Sequence, residues 1–358
     1  MKLTNYKIKI TDIFKKNPKC YFIADIAANH DGSLSRAKKL IELAAKAGAN
    51  AAKFQNFFAD TIVSDYGFKS LKAKKSHQSK WKKSVYEVYK DAELPLSWTE
   101  ELVETCSKFN IDYFTAPYDI SIIDYLNKYV AAWKVGSGDI TWHDSIIKMA
   151  KTKKPVMIAT GASTAADVDL VLKKIEKINK KVVLMQCNTN YTAKKDNFNY
   201  INLNVIKLFK KKYPNLQIGL SDHTHGHETV LAAIALGAKV IEKHFTDSNF
   251  RNGPDHLFSM NPKSWEQMII SSRKVELAMG DGIKKVEKNE KDTIIIQRRA
   301  IRANKFIKKG SIIKYNDLIN LRPCPKTGLN PYEFKRVINK KAKKNINFHE
   351  IINKKNTI

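Results

Sequence analysis

With 358 residues, 43% of them hydrophobic, the chain is long enough for one large domain plus a small one and too apolar for a disordered protein. It has no run of about 18 apolar residues, which argues against a membrane-spanning helix, and the N-terminal MKLTNYKIKITDIFKKNPKC has no apolar signal core, so a cytoplasmic protein is expected. The net charge of +29 invites a nucleic-acid reading, but 56 of the 64 basic residues are Lys, spread along the chain rather than gathered on one arginine-bearing helix. Neither nucleic acid nor membrane is therefore expected as a partner, and a small anionic substrate fits better. Cys20, Cys106, Cys187 and Cys324 show no CxxC spacing and read as free thiols.

After an N-terminal extension (1–20), one rhythm of short apolar strand, polar loop and helix repeats from 21 to 280. Strand one is YFIADIA, followed by a helix over 34–47 with Leu40, Leu43, Ala44 and Ala47 on one face. Strand two is AAKFQ (51–55). A Lys-rich, aromatic insertion (56–96) then reads as an excursion over the surface, either covering the barrel or lining a pocket. The next helix spans 97–109, with Ser97 as N-cap and Glu100 in capping-box position. Strands three to six are 112–116, 131–135, 156–160 and 182–187. The helices between and after them span 121–128, 144–152, 163–178 (capped by Ser163 or Thr164) and 201–213. Strand seven (217–220), a helix from about Glu228 and strand eight (239–241) precede a helix over 262–279 that starts at Pro262. Eight strands, seven intervening helices and a closing helix match a (β/α)8 TIM barrel. The rival, a doubly wound sheet, would carry a Gly-rich nucleotide turn after its first strand, where Ala27-Ala28-Asn29-His30 stands instead. The charged segment 281–293 reads as a linker. A small module follows over 294–358; from Lys284 onward there are 21 basic and 6 acidic residues.

In such barrels chemistry sits at the C-terminal ends of the strands. Reading the chain there gives Asp25, Asn29 and His30, then Lys53 and Gln55, then Thr115, Lys134 and Ser137. Thr160 and Ser163 follow, then Asn190 and Tyr191, Ser221, Asp222 and His223, and finally Lys243 and His244. A Lys inside a barrel strand is costly unless paired. Lys53 and Lys134 with Ser137 and Ser163 therefore point to a bound anion such as phosphate. The plainer alternative pairs each Lys with Asp25 or Glu242. His223 and His244 end adjacent parallel strands, within reach of one divalent metal ion or one substrate. His225 and His227, in a loop entering a helix, read as structural.

These residues, in this order, resemble the sialic acid synthase (N-acetylneuraminate synthase) family, legionaminic and pseudaminic acid synthases included. The resemblance runs through IADIAANHDG, AAKFQ, YFTAPYD, KVGSGDI, ATGAS, QCNTNY, IGLSDHT, VIEKHFT and GPDHLFSMNP, and spans about residues 20 to 355. It implies a TIM barrel followed by a small antifreeze-like (SAF) domain in a domain-swapped homodimer. It also implies condensation of phosphoenolpyruvate with an acylated aminohexose, N-acetylmannosamine or a 2,4-diacetamido-trideoxyhexose, to a nine-carbon 2-keto acid and phosphate. Carried over residue by residue, His223 and His244 resemble ligands of a divalent metal, Mn2+ being the usual ion and Mg2+ the alternative. Lys53, Thr115, Lys134, Ser137, Ser163, Asn190 and Ser221 are similar to phosphoenolpyruvate contacts. Gln55, Tyr191 and Arg322, the last reaching into the partner's site, fall where the sugar is held, and Asp25 takes the place of the family's water-positioning glutamate. Two further departures are Thr192, where the family usually has Pro, and Asp247, one position before the acid of the common HFTLD pattern, where Ser248 stands; Asp247 is taken as a sugar contact. Other readings are an eight-carbon sugar-acid synthase that also uses phosphoenolpyruvate, a class II aldolase, or a non-catalytic polysaccharide-binding protein.

Overall fold

The computed structural model describes residues 8–71, 81, 83–191 and 194–357. Eight parallel strands close into a barrel: β1 (Tyr21–Asp25), β2 (Ala51–Asn56), β3 (Asp112–Pro117), β4 (Ala132–Val135), β5 (Val156–Ala159), β6 (Val182–Cys187), β7 (Gln217–Asp222) and β8 (Val240–His244). β8 pairs back onto β1, with Asp25 opposite His244. Helices follow the strands, from Leu34–Lys46 after β1 to Pro262–Ala278 after β8, and the last has Pro262 in its first turn. Strands covered on both faces must be apolar nearly throughout, and almost every strand residue is buried.

Alternation along each strand sorts the side chains. Tyr21, Ile23, Ala51, Phe114, Ala132, Met157, Val183, Met185 and Val240 point inward and fill the lower barrel, where Ile10 and Ile13 of the N-terminal 3-10 turn Ile10–Phe14 plug the far mouth. Their neighbours, such as Phe22, Phe54, Tyr113, Trp133 and Ile241, point outward against the helices. Asp112 fixes the plug by accepting from the Ile10 amide (2.9 Å) and the Tyr21 hydroxyl (2.6 Å). One mouth is thus closed by packing. Continuing the inward alternation upward brings Asp25, Lys53, Gln55, Lys134, Cys187, Ser221, Glu242 and His244 to the other.

The structure departs from the sequence expectation in three places. β7 and β8 run two to three residues further than their apolar stretches, because ladder pairing continues through Ser221 opposite Glu242 and Asp222 opposite Lys243. Ser97 lies inside a 3-10 turn (Leu96–Trp98) and caps nothing, whereas Thr164, one of the two caps the sequence offers, does cap the helix Ala165–Ile175, reciprocally with Asp167. The insertion holds short helices at Ala59–Ile62, Asp65–Ser70 and Val85–Asp91.

The chain divides into two compact units, Met1–Gly280 and Asp281–Ile358. The second has its own core (Ile301, Ala303, Ile307, Ile313, Leu318, Leu329, Val337, Ala342, Ile346, Ile352) and an antiparallel pair, β9 (Ala300–Ala303) and β10 (Leu318–Leu321). A helix, Lys291–Gln297, begins inside the stretch that reads as linker. Among the described residues no helix is long and apolar enough to cross a membrane.

Candidate active site

A cavity of about 360 Å³ opens at the C-terminal end of the barrel. Its floor is ionic. Lys53 Nζ lies 2.6 Å from Asp25 Oδ2 and 3.2 Å from Glu242 Oε1, and Lys134 Nζ lies 3.0 Å from the same Glu242 oxygen. The Ser221 hydroxyl donates to that oxygen at 3.1 Å, while Glu242 Oε2 has no partner among the described residues. Both lysines are therefore paired with the available carboxylates, yet their capacity is not spent. An ammonium has three donors, and among the described residues Lys134 meets one acceptor, leaving two for an incoming anion. Burial alone would raise the Glu242 carboxyl, but Lys134 and Lys53 outweigh it and hold the group down at about 2. Lys53 is pulled down by burial and pushed further up by Asp25 and Glu242, so it stays charged. Burial raises Asp25 despite Lys53.

Beside this floor stand two imidazoles with ring centroids 5.4 Å apart. His223 Nδ1 is 2.9 Å from the Asn188 carbonyl, which can only accept, so Nδ1 carries a proton and Nε2 is the nitrogen left for a ligand; burial pulls this ring down, but Cys187 and the Asn188 carbonyl raise it above the ordinary histidine value. His244 lies with Nε2 3.5 Å from Asp25 and Nδ1 4.0 Å from Asp255; Nδ1 is buried without a hydrogen-bond partner among the described residues. Burial, then the neighbouring His223, holds His244 well below the usual histidine range, keeping it neutral as a ligand must be. The Nε2 of His223 and the orphaned Nδ1 of His244 fit a shared divalent ion, whose binding would displace any proton on them. No group of three His, Cys, Asp or Glu is arranged to hold a metal among the described residues, so the remaining positions would fall to water or substrate oxygen.

The predicted residues do not all reach this cavity. Asp25, Lys53, Gln55, Lys134, Ser137, Tyr191, Ser221, His223 and His244 line it. Thr115 does not: Phe114 faces the barrel interior, so alternation turns Thr115 outward, where its hydroxyl donates to Asn56 Oδ1 at 2.6 Å. Ser163 turns its hydroxyl to the Gly161 carbonyl (2.9 Å), and Asn190 lies between the lining residues Thr189 and Tyr191 without lining the cavity itself. Asp247 is held elsewhere, its carboxylate taken by Arg36 (2.7 and 2.9 Å) and by Arg251. Arg322 belongs to the second unit. Thr192 lies outside the described residues.

Other residues complete the site. Asp255 lines the cavity, accepts from the Ala28 amide at 3.2 Å, and is raised by burial to about 6. It sits within GPDHLFSMNP, so the motif carried it although the HFT spacing drew attention to Asp247. Asp139, the acid of KVGSGDI, also lines the cavity, has no polar side-chain partner among the described residues and is raised by burial to about 6. The insertion supplies a largely apolar wall of Phe57, Ile62, Trp81, Val88 and Tyr89 facing Tyr118, so it lines the pocket as well as covering the barrel. No periodicity in that segment could have announced this. Two glycines make room: a Cβ on Gly161 would lie 1.9 Å from Thr189 Oγ1, and one on Gly136 would lie 2.5 Å from the Tyr118 hydroxyl.

A barrel with paired lysines and two histidines at its open end has the donor chemistry to take an anion and a divalent ion. The family follows from comparison: the model of the NeuB family matches residues 40–284, and the chain belongs to that family. It is 36% identical to an N,N'-diacetyllegionaminic acid synthase of Campylobacter jejuni over 93% of this chain and 99% of the relative. It is 32% identical to a pseudaminic acid synthase of the same species, over 95% and 97%. Among solved structures, an N-acetylneuraminic acid (sialic acid) synthetase of Leptospira borgpetersenii superposes with a TM-score of 0.67 at 27% identity, covering 78% of this chain and 91% of that one.

Proposed function

We propose that the protein condenses phosphoenolpyruvate with the open-chain form of an N-acylated aminohexose, giving a nine-carbon 2-keto sugar acid and phosphate. The observation that carries this reading is the meeting of Lys53, Lys134, Ser221 and Glu242 with His223 and His244 in one cavity. Lys53 and Lys134 bind the carboxylate and phosphate of phosphoenolpyruvate and offset their charge, with Ser137 as a neutral donor, while Ser221 holds the Glu242 carboxylate beside them. His223 and His244 would hold a divalent ion, Mn2+ in this reading, which would supply Lewis acidity toward the sugar's aldehyde.

The methylene carbon of phosphoenolpyruvate bonds to the aldehyde carbon, leaving positive charge at C2. Asp25, whose Oδ1 accepts the Ala27 amide at 3.1 Å, orients water toward C2 and takes its proton as the oxygen bonds. The former aldehyde oxygen takes up a proton to become a hydroxyl; the C2–O bond to phosphate then breaks as the C2 hydroxyl loses its own proton to the leaving phosphate or solvent, giving the keto group and free phosphate. Gln55, Tyr191 and Asp255 hold the sugar's polar groups.

The wall of Phe57, Ile62, Trp81 and Val88 supports a 2,4-diacetamido-trideoxyhexose over N-acetylmannosamine, since the deoxygenated carbon and second acetamido methyl present apolar surface there. The second unit is assigned as an SAF domain of a swapped homodimer, with Arg322 completing the partner's cavity. The test is phosphate release from phosphoenolpyruvate with 2,4-diacetamido-2,4,6-trideoxymannose, N-acetylmannosamine or arabinose 5-phosphate and Mn2+. Release that is fastest with the trideoxy sugar is expected. Release with arabinose 5-phosphate alone would make the protein an eight-carbon synthase, and release with none would leave a binding protein.

A further inference from the structure

Alternation puts Asp222 and Lys243 on the outer face of the barrel, opposite each other in register on β7 and β8. Each directly precedes one of the two cavity histidines. Lys243 Nζ lies 2.5 Å from Asp222 Oδ2 and donates to the Thr224 carbonyl at 2.6 Å. Asp222 also accepts from the Thr224 amide (3.2 Å), the Thr224 hydroxyl (2.9 Å) and the Thr229 hydroxyl (2.8 Å). Both charged side chains are about 1% exposed. The network therefore clamps the backbone on either side of His223, through residues 222 and 224, and ties it to the residue before His244. Thr229, in the first turn of the helix Glu228–Ala235, anchors the clamp from behind.

Net stability is a weak account of this arrangement. Desolvating two charges costs several kcal/mol, and an apolar pair of similar volume is often as stable or more so. What an apolar pair lacks is direction. A salt bridge with fixed partners holds two strand ends at one separation, and ligands of one ion must stand within a narrow range of distances.

We propose that the Asp222–Lys243 pair is the positioning device for the two-histidine site, setting the spacing of His223 and His244 from outside the barrel. This rests on the reading that these histidines hold a divalent ion. The test replaces the pair by Asp222→Leu with Lys243→Met and titrates Mn2+ by electron paramagnetic resonance, with phosphoenolpyruvate affinity measured separately without metal. The expected result is a folded protein whose Mn2+ affinity falls about 10- to 100-fold, while metal-free phosphoenolpyruvate affinity changes less than about twofold. Wild-type Mn2+ affinity in the folded double variant overturns the proposal. If the double variant does not fold, Lys243→Arg, which keeps the charge but changes its reach, is expected to weaken Mn2+ alone, and unchanged Mn2+ binding there overturns it equally. His244→Ala separates the two readings. If it binds Mn2+ as the wild type does, the metal assignment itself fails and takes the proposal with it.

Discussion

At the scale of single residues the site is a balance of charges that one substitution can tip. Among the described residues Lys134 meets Glu242 alone, so Lys134→Met removes a donor for the incoming anion and leaves Glu242 with Lys53 and Ser221. Calorimetric titration of phosphoenolpyruvate is expected to show at least a tenfold loss of affinity, about 1.4 kcal/mol; unchanged affinity would remove Lys134 from the anion site. Asp139 gives a second prediction, on stability against pH. Its folded pKa, raised by burial to about 6, exceeds the roughly 3.9 of an unfolded Asp. The folded state therefore holds this proton more tightly, and the contribution present below about pH 4 is lost as pH rises through 6. Asp139→Asn lacks that loss. Its melting temperature relative to wild type should be higher at pH 7 than at pH 5, and equal differences at both would refute the burial argument.

At the scale of elements, the barrel was legible because each strand is an apolar run that breaks into polar residues where the mouth opens. Lys53 and Lys134 stood out as expensive groups in apolar strands and His244 as a residue paired with His223 at adjacent strand ends, and all three line the cavity. Thr115 shows the limit of that reasoning: position at a strand end does not tell which way a side chain faces, and only the inward packing of Phe114 reveals it. Asp247 fell to a different cause, since its partner Arg36 lies 211 residues away and no local pattern links them. The insertion's aromatic residues carried no period, so their arrival on the cavity wall depends on tertiary contacts alone. The plug at the opposite mouth makes an element-scale prediction. Ile13 is fully buried, so Ile13→Ala should cost about 2–4 kcal/mol in denaturant unfolding. The phosphoenolpyruvate KM of the folded fraction should stay within about twofold, because the plug and the ionic floor occupy opposite ends of the barrel. A large KM change would mean that the lower barrel transmits its packing to the floor.

At the scale of the whole molecule, the two units carry separate cores. In the proposed reading the second unit serves a site through Arg322. If the homodimer is swapped, each complete site takes His244 from one subunit and Arg322 from the other. Arg322→Ala and His244→Ala homodimers would then both be inactive, each lacking one part of both sites. In a hybrid of the two, one site combines both lesions and the other is intact. Random re-association of an equal mixture makes half the dimers hybrid, each with one working site of two, so about a quarter of wild-type activity should return. Without a swap, every hybrid site carries one lesion and the mixture stays silent. Phosphate release after unfolding and refolding the mixed subunits, against each variant refolded alone, measures the difference. Recovery near a quarter requires that Arg322 act across the dimer, and its absence from a mixture shown to contain hybrids would confine each site to a single chain.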